Sequence, residues 1–249
     1  MSHREAVEED FDLFDSLRES QVPPGMFVGD GIRVVRKMVD FGLATRILIA
    51  NEWIHRLPAN AEGVEVIVAP KERLHRLVGF KLHQGIMALG RVPPPKPLEG
   101  SFFVALDGLS NTENVGAILR TCAGFGVDGV LYDRSTASPW MRRAIRVSIA
   151  APLRVPVHFV DDLAAAIRPL NAWAGHIHGT KVDYRSVDYT KPCCLVLGGE
   201  DKGVTDAVLA ACAGVIYIPM AEGWDCINVA GSAAVLIAEV RRQRDALTK

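Results

Sequence analysis

No apolar run in the 249 residues approaches the roughly 20 that a membrane-spanning helix requires, so membrane proteins of that kind are excluded. No secretory leader is expected either. Met1-Ser2-His3-Arg4-Glu5 is polar and runs into acids, without the basic and then apolar order of a signal peptide, and a cytoplasmic protein is expected. Cysteine is scarce and unpatterned: Cys122, Cys193, Cys194, Cys212 and Cys226 make an odd count with no C-x-x-C spacing. That leaves no disulfide framework and no structural zinc site, and predicts buried free thiols. No metal is expected. With 49% hydrophobic and 23% charged residues, the composition also excludes collagen-like, mucin-like and wholly disordered chains. What remains is enough chain to bury a core without staples, in one large or two modest domains.

The net charge of −1 hides an asymmetry. Residues 1–20 carry seven acids against Arg4 and Arg18, which marks an acidic, mobile tail over 1–24. The rest of the chain holds 26 basic against 22 acidic residues. Ten Lys/Arg face five Asp/Glu over 31–91, and 134–154 has five arginines and no acid. Local basic patches of this kind are the footprint of a polyanion such as nucleic acid, although any single patch also suits a solvated face.

Four prolines between Pro93 and Pro97 form a stiff spacer, so 93–99 is a linker. It divides a small α/β domain at 25–92 from a larger one at 100–249. In the small domain, Gly31–Phe41 and Lys71–Val78 have helical spacing, whereas Thr45–Ala50, Val64–Val68 and Gly85–Leu89 read as strands. Beyond the linker the pattern alternates. Phe102–Leu106, Gly129–Tyr132, Val155–Val160, Trp173–His178, Cys194–Leu197 and Val215–Ile218 are strands, with helices at Val115–Phe125, Asp161–Leu170, after Thr205, and from Asn228 to about Arg242. Such alternation means a parallel sheet covered by helices, and ligands in these sheets bind beyond the carboxyl ends of the strands.

Three strand ends carry the chemistry. The first runs Leu106-Asp107-Gly108-Leu109-Ser110-Asn111-Thr112-Glu113-Asn114-Val115-Gly116-Ala117-Ile118-Leu119-Arg120-Thr121. Asn114 fits an N-cap, and Arg120 on the same helix suits a phosphate or plain solvent equally. The second is Leu195-Val196-Leu197-Gly198-Gly199-Glu200-Asp201-Lys202-Gly203. Its glycines would let a ligand lie against the backbone beside a carboxylate, and it matches neither the phosphate-loop nor the dinucleotide fingerprint. The third, Ile218-Pro219-Met220-Ala221-Glu222-Gly223-Trp224-Asp225-Cys226-Ile227-Asn228-Val229-Ala230-Gly231-Ser232, ends a strand at proline and opens a helix lined with small residues.

Together, in order and at this spacing, the three segments resemble the motifs of the SpoU (TrmH-like) RNA 2′-O-ribose methyltransferases of the knotted SPOUT superfamily, over about 101–243. Upstream, His83-Gln84-Gly85 resembles the end of that family's ribosomal-protein-like substrate-binding domain. The resemblance implies an α/β protein with a C-terminal trefoil-knot domain on a parallel sheet, and an obligate homodimer packing its last helix. It implies S-adenosylmethionine as methyl donor at Gly198, Gly199, Ile218, Met220 and Ile227, and a catalytic group of Asn114, Arg120, Glu200 and Asn228. RNA, either rRNA or tRNA, is the implied partner.

In that chemistry the ribose 2′-hydroxyl is a poor nucleophile that must lose a proton as it attacks. Guanidinium resists deprotonation, so Arg120 is assigned to anchoring phosphate and stabilising the developing alkoxide. One departure stands out: the family's usual serine two residues before its asparagine is Cys226 here. It motivates a second reading, an RNA- or ribosome-binding factor that keeps the fold and has lost transfer; base methylation is a third. Arg142, Arg143 and Arg146 share a helical face and are assigned to RNA contact, with Lys81 and His83 as further candidates.

Overall fold

The computed structural model describes residues 3–12, 14, 22–78, 85–177 and 179–247, and divides the chain into two compact units. One comprises Met1–Pro94 with Trp140–Leu153, the other Pro95–Pro139 with Arg154–Lys249.

The first unit is built on strands β1 (Arg4–Glu5), β2 (Met26–Asp30), β3 (Ala44–Ala50), β4 (Glu65–Ala69) and β5 (Ile86–Arg91), with helices α1 (Glu8–Asp12), α2 (Ile32–Asp40) and α3 (Lys71–Val78). The strand order is β1-β4-β3-β5-β2, with β1 and β3 parallel to β4 and β5 antiparallel to its neighbours. Side chains alternate across the sheet as the two-residue period requires. Ile47 and Ile49 join Val35, Met38 and Val39 of α2 on one face, while Leu48 and Ala50 join Phe11 and Leu74 on the other.

The acidic leader differs from the expected mobile tail. β1 pairs with β4, and Phe11 and Phe14 are buried in the core. Arg4 bridges Asp10 at 2.6 Å and Glu65 at 2.6 Å, so the described part of the leader is held by opposite charge and by the side chains of Phe11 and Phe14. Lys81 and His83 lie outside the described residues.

The second unit carries β6 (Phe102–Asp107), α4 (Thr112–Phe125) and β7 (Gly129–Tyr132). Helix α5 (Arg142–Ser148) then falls in the first unit, after which the chain returns through β8 (Val157–Phe159), α6 (Leu163–Ile167), β9 (Ala172–Gly175), β10 (Val182–Asp183), β11 (Cys193–Gly198), α7 (Asp206–Leu209), β12 (Gly214–Tyr217) and α8 (Val229–Asp245). All seven strands are parallel, in the order β10-β12-β9-β11-β6-β7-β8. Every residue of β6 and five of the six in β11 are buried, as strands covered on both faces must be. Phe103, Ala105, Cys194 and Val196 pack with Leu163, Ile167 and Val208 on one face. α4 and α8 pack against each other, with α8 also on β11, and bury Ile118, Leu119, Leu236 and Ile237.

In helix α5, one of the three arginines assigned to RNA contact faces a buried acid. Arg142 places Nε and Nη2 on Oδ2 of Asp30 at 3.0 and 2.8 Å, and Arg146 lies 3.5 Å from the same oxygen. Asp30 is 2% exposed and the Arg142 side chain 11%, so this guanidinium neutralises a buried carboxylate and is not presented to solvent. Arg143 is exposed.

Among the described residues no helix is long and apolar enough to cross a membrane, and no group of acids, histidines and thiols could hold a metal. The cysteines are free thiols; Cys122, Cys193 and Cys194 are buried, which pushes each thiol up, and Cys226 is exposed.

Candidate functional site

At the carboxyl end of the second sheet, β6 and β11 are adjacent strands, and a buried carboxylate ties the loops that leave them. Asp107, 2% exposed, accepts from Thr205 N at 2.7 Å and from the Thr205 hydroxyl at 2.9 Å. Thr205 therefore stands at the start of α7 as expected, but its hydroxyl serves Asp107 and not the helix. Gly199 N donates to Asp107 O at 2.8 Å.

The glycines of this loop are needed for the protein's own packing. A Cβ on Gly198 would lie 2.1 Å from Gly203 C, and one on Gly199 would lie 2.3 Å from Gly108 O. Gly203 has φ +65°, and a Cβ there would meet the His176 ring at 2.8 Å. Sequence reasoning assigned the first two glycines to ligand approach; both border the cavity, yet the space above each Cα belongs to neighbouring backbone.

Helix α4 starts one turn earlier than expected. Asn111 is the N-cap, its Oδ1 accepting from Glu113 N at 2.8 Å and Asn114 N at 3.4 Å. Asn114 is thus the third residue of the helix, 9% exposed, with its amide directed across to the other two loops. Nδ2 of Asn114 donates to Glu200 Oε1, and Oδ1 of Asn114 accepts from Asn228 Nδ2 at 3.2 Å. Asn228 is the N-cap of α8, its Oδ1 accepting from Ala230 N at 2.9 Å. Both amide orientations follow from this chain. The cap fixes which end of Asn228 is oxygen, that sends its NH₂ to Asn114 Oδ1, and the NH₂ of Asn114 is left for the carboxylate.

Three of the four expected catalytic residues therefore meet through side-chain hydrogen bonds, each arriving from a different strand end. Arg120 does not join them. Six residues beyond Asn114, it is rotated by about a third of a turn from that face and lies about 9 Å further along the axis, exposed to solvent.

Beside the cluster opens a cavity of about 410 Å³, within the range of small-molecule and cofactor sites. Gly198, Gly199, Ile218, Met220 and Ile227, the five expected donor-binding residues, all line it, as do Glu200 and Asn228. Its walls combine apolar side chains (Leu197, Ile216, Leu236) with the carboxylates of Glu200, Asp201 and Asp225. Such walls suit a ligand with both apolar and charged parts. Sequence reasoning missed His176, Lys181, Lys202 and Tyr217 on the same cavity. His176 and Lys181 follow β9, outside every motif, and only the strand order β10-β12-β9-β11 carries them there.

The SpoU rRNA Methylase family model matches residues 101–238 of this chain. An uncharacterized tRNA/rRNA methyltransferase of Mycobacterium avium is 34% identical over 201 residues, covering 73% of this chain and 63% of that protein. One from Mycobacterium tuberculosis is 30% identical over 256 residues, covering 94% of this chain and 88% of that relative. The crystal structure of the SpoU methyltransferase AviRb from Streptomyces viridochromogenes, in complex with AdoMet, superposes with a TM-score of 0.80 at 22% identity, over 96% of this chain and 98% of that one.

Proposed function

Because the chain belongs to the SpoU rRNA methylase family, we propose that it transfers the methyl group of S-adenosylmethionine to a ribose 2′-hydroxyl of rRNA or tRNA. The observation that carries this reading is the Glu200–Asn114–Asn228 hydrogen-bond chain at the edge of a cavity lined by all five expected donor-binding residues. Support for the donor comes also from the AdoMet complex of AviRb, which shares the fold.

Gly198, Gly199, Ile218, Met220 and Ile227 would hold the donor, and the carboxylates of Glu200, Asp201 and Asp225 on the same cavity favour its sulfonium charge. When bound, S-adenosylmethionine supplies an electrophilic methyl on a leaving group that is already positive. The chain's own residues then have to place the ribose and manage charge. Glu200, held by the Asn114 amide, presents its remaining acceptor capacity toward the sugar, and Asn228, fixed at both ends of its amide, cannot swing away. Arg120, exposed on α4, is suited to an RNA phosphate through charge-assisted hydrogen bonds, and its resistance to deprotonation makes it an anchor and not a base. The first unit selects the RNA in this reading, and a second copy of the chain packs against the small residues Ala230, Gly231 and Ala234 of α8.

The test is transfer of labelled methyl from S-adenosylmethionine to total RNA, followed by nucleoside mass spectrometry. A 2′-O-methyl nucleoside is the expected product. Label in a methylated base overturns the ribose assignment. Donor binding without transfer to any RNA favours the second reading, a binding factor, which the exposed Cys226 in place of serine motivates.

A further inference from the structure

The cavity carries charges beyond those of the catalytic cluster. Its acids, Glu200 and Asp201 after β11 and Asp225 after β12, belong to the motif loops. Two lysines also line it: Lys202, directly after those acids in the loop beyond β11, and Lys181, which precedes β10. β10 is three strands from β11 in the order β10-β12-β9-β11, which at about 4.8 Å per strand places it about 14 Å away.

Lys181 is held in place from two sides. Its Nζ donates to Ile177 O at 2.5 Å and sits 5.1 Å from the centroid of the Tyr217 ring. An ammonium has three N–H donors, so one backbone carbonyl leaves capacity for a ligand anion. The aromatic face adds cation–π attraction and limits the side chain's wandering.

We propose that Lys181 binds the carboxylate at the amino-acid end of the methyl donor. This rests on the donor assignment made above and adds a residue outside the family motifs. The donor carries a sulfonium, an ammonium and one carboxylate. Its sulfonium has to lie at the Asn114–Glu200–Asn228 end for the methyl to reach a sugar there, and the two carboxylates of Glu200 and Asp201 favour positive charge and repel negative charge at that end. The lone anionic group is therefore directed away from that end, and on the β10 side of the cavity Lys181 is the cation. Lys202 is disfavoured because Glu200 and Asp201 are its neighbours in the chain.

The experiment removes the same group from the ligand and from the protein. Calorimetry on the full-length protein compares S-adenosylhomocysteine, which keeps the amino-acid end, with 5′-methylthioadenosine, which lacks it, across wild type, Lys181→Ala, Lys181→Arg and Lys202→Ala. Lys181 is exposed, so its variants are expected to fold, and melting temperatures check that. We expect Lys181→Ala to weaken S-adenosylhomocysteine by about five- to tenfold, as for a partly solvated charge-assisted hydrogen bond. Methylthioadenosine should be unchanged within about twofold and Lys181→Arg should recover most of the loss. Equal weakening of both nucleosides, no weakening of either, or a selective loss in Lys202→Ala alone overturns the assignment to Lys181. Wild-type protein that binds neither nucleoside overturns the donor cavity itself, a result distinct from the others.

Discussion

Asn228 donates its side-chain NH₂ to Asn114 Oδ1 at 3.2 Å, and the oxygen of the same amide caps α8 on Ala230 N at 2.9 Å. One side chain therefore both starts a helix and fixes a second amide, and the two duties can be separated. Aspartate keeps the capping oxygen and adds negative charge at a helix N-terminus, which is favourable, but at neutral pH it has no hydrogen to give Asn114. Asn228→Asp should leave the thermal midpoint within a degree or two of wild type, while methyl transfer falls by a factor on the order of 100, the scale for one lost preorganised contact. Asn228→Ala should lose both, with about 1 kcal/mol of stability gone as well. Comparing melting curves with single-turnover rates decides it; an Asn228→Asp enzyme of full activity would show that the Asn114 contact is dispensable.

Gly199 makes a different demand. A Cβ there would sit 2.3 Å from Gly108 O, and Gly199 N already donates to Asp107 O at 2.8 Å, so the loops after β6 and β11 can separate only by breaking that bond. Gly199→Ala should destabilise the protein by about 1–3 kcal/mol, the usual cost of overpacking a tight contact, and should also pull Glu200 from Asn114. Urea denaturation measures the first effect and transfer rate the second. An alanine variant with wild-type stability would mean that the loop relaxes freely.

The parts of this molecule that were legible in the sequence are those where one physical signal dominates. β6 and β11 are continuous apolar runs because both faces are covered, and the three motif loops follow from the rule that parallel strands present their carboxyl ends to ligands. β2 is not legible, because Gly29 and Asp30 interrupt its apolar character; a Cβ at Gly29 would lie 2.5 Å from Met38 Sδ and 2.6 Å from Val34 Cγ1. The N-cap of α4 was misplaced by three residues, since Asn111 and Asn114 are both good caps and only the hydrogen bonds separate them. Arg142 and the leader depend on partners distant in sequence, Asp30 for the first and, 61 residues from Arg4, Glu65 for the second. Asp30 lies 112 residues from Arg142, and no local periodicity encodes that pairing.

The Asp30–Arg142 pair should respond asymmetrically to substitution. Oδ2 of Asp30 takes both Arg142 bonds, whereas Oδ1 is buried without a hydrogen-bond partner among the described residues. A pair so desolvated contributes little beyond cancelling its own burial cost, yet removing Asp30 takes away the buried carboxylate oxygen to which two Arg142 N–H groups donate. Asp30→Ala is expected to cost about 3–5 kcal/mol, while Asp30→Leu combined with Arg142→Met should return to within about 1 kcal/mol of wild type. Denaturant titrations of the single and double variants form the cycle, and strictly additive losses would contradict it.

Acid should release the leader. Arg4 places Nη1 and Nη2 on the two oxygens of Asp10 at 2.6 and 2.7 Å and also reaches Glu65, which Arg46 contacts at 2.6 Å. The Arg4 guanidinium holds the carboxyls of both Asp10 and Glu65 below their ordinary values of 3.8 and 4.5. A carboxylate whose pKa is depressed on folding contributes stability that is complete above its unfolded value and is lost as pH falls through the folded one. The contribution is therefore full at neutral pH and declines below about pH 4.5. Arg4→Met should loosen β1 from β4 at pH 7, seen as faster hydrogen exchange at the Ala6 amide, which donates to Val68 O, and should lower the thermal midpoint relative to wild type. That difference in midpoint should shrink steadily below about pH 4 and disappear once both carboxylates are protonated in either protein. A difference that holds constant from pH 7 to pH 2.5 would mean that the ion pairs contribute nothing, leaving the leader's attachment to the β1–β4 pairing and to Phe11 and Phe14.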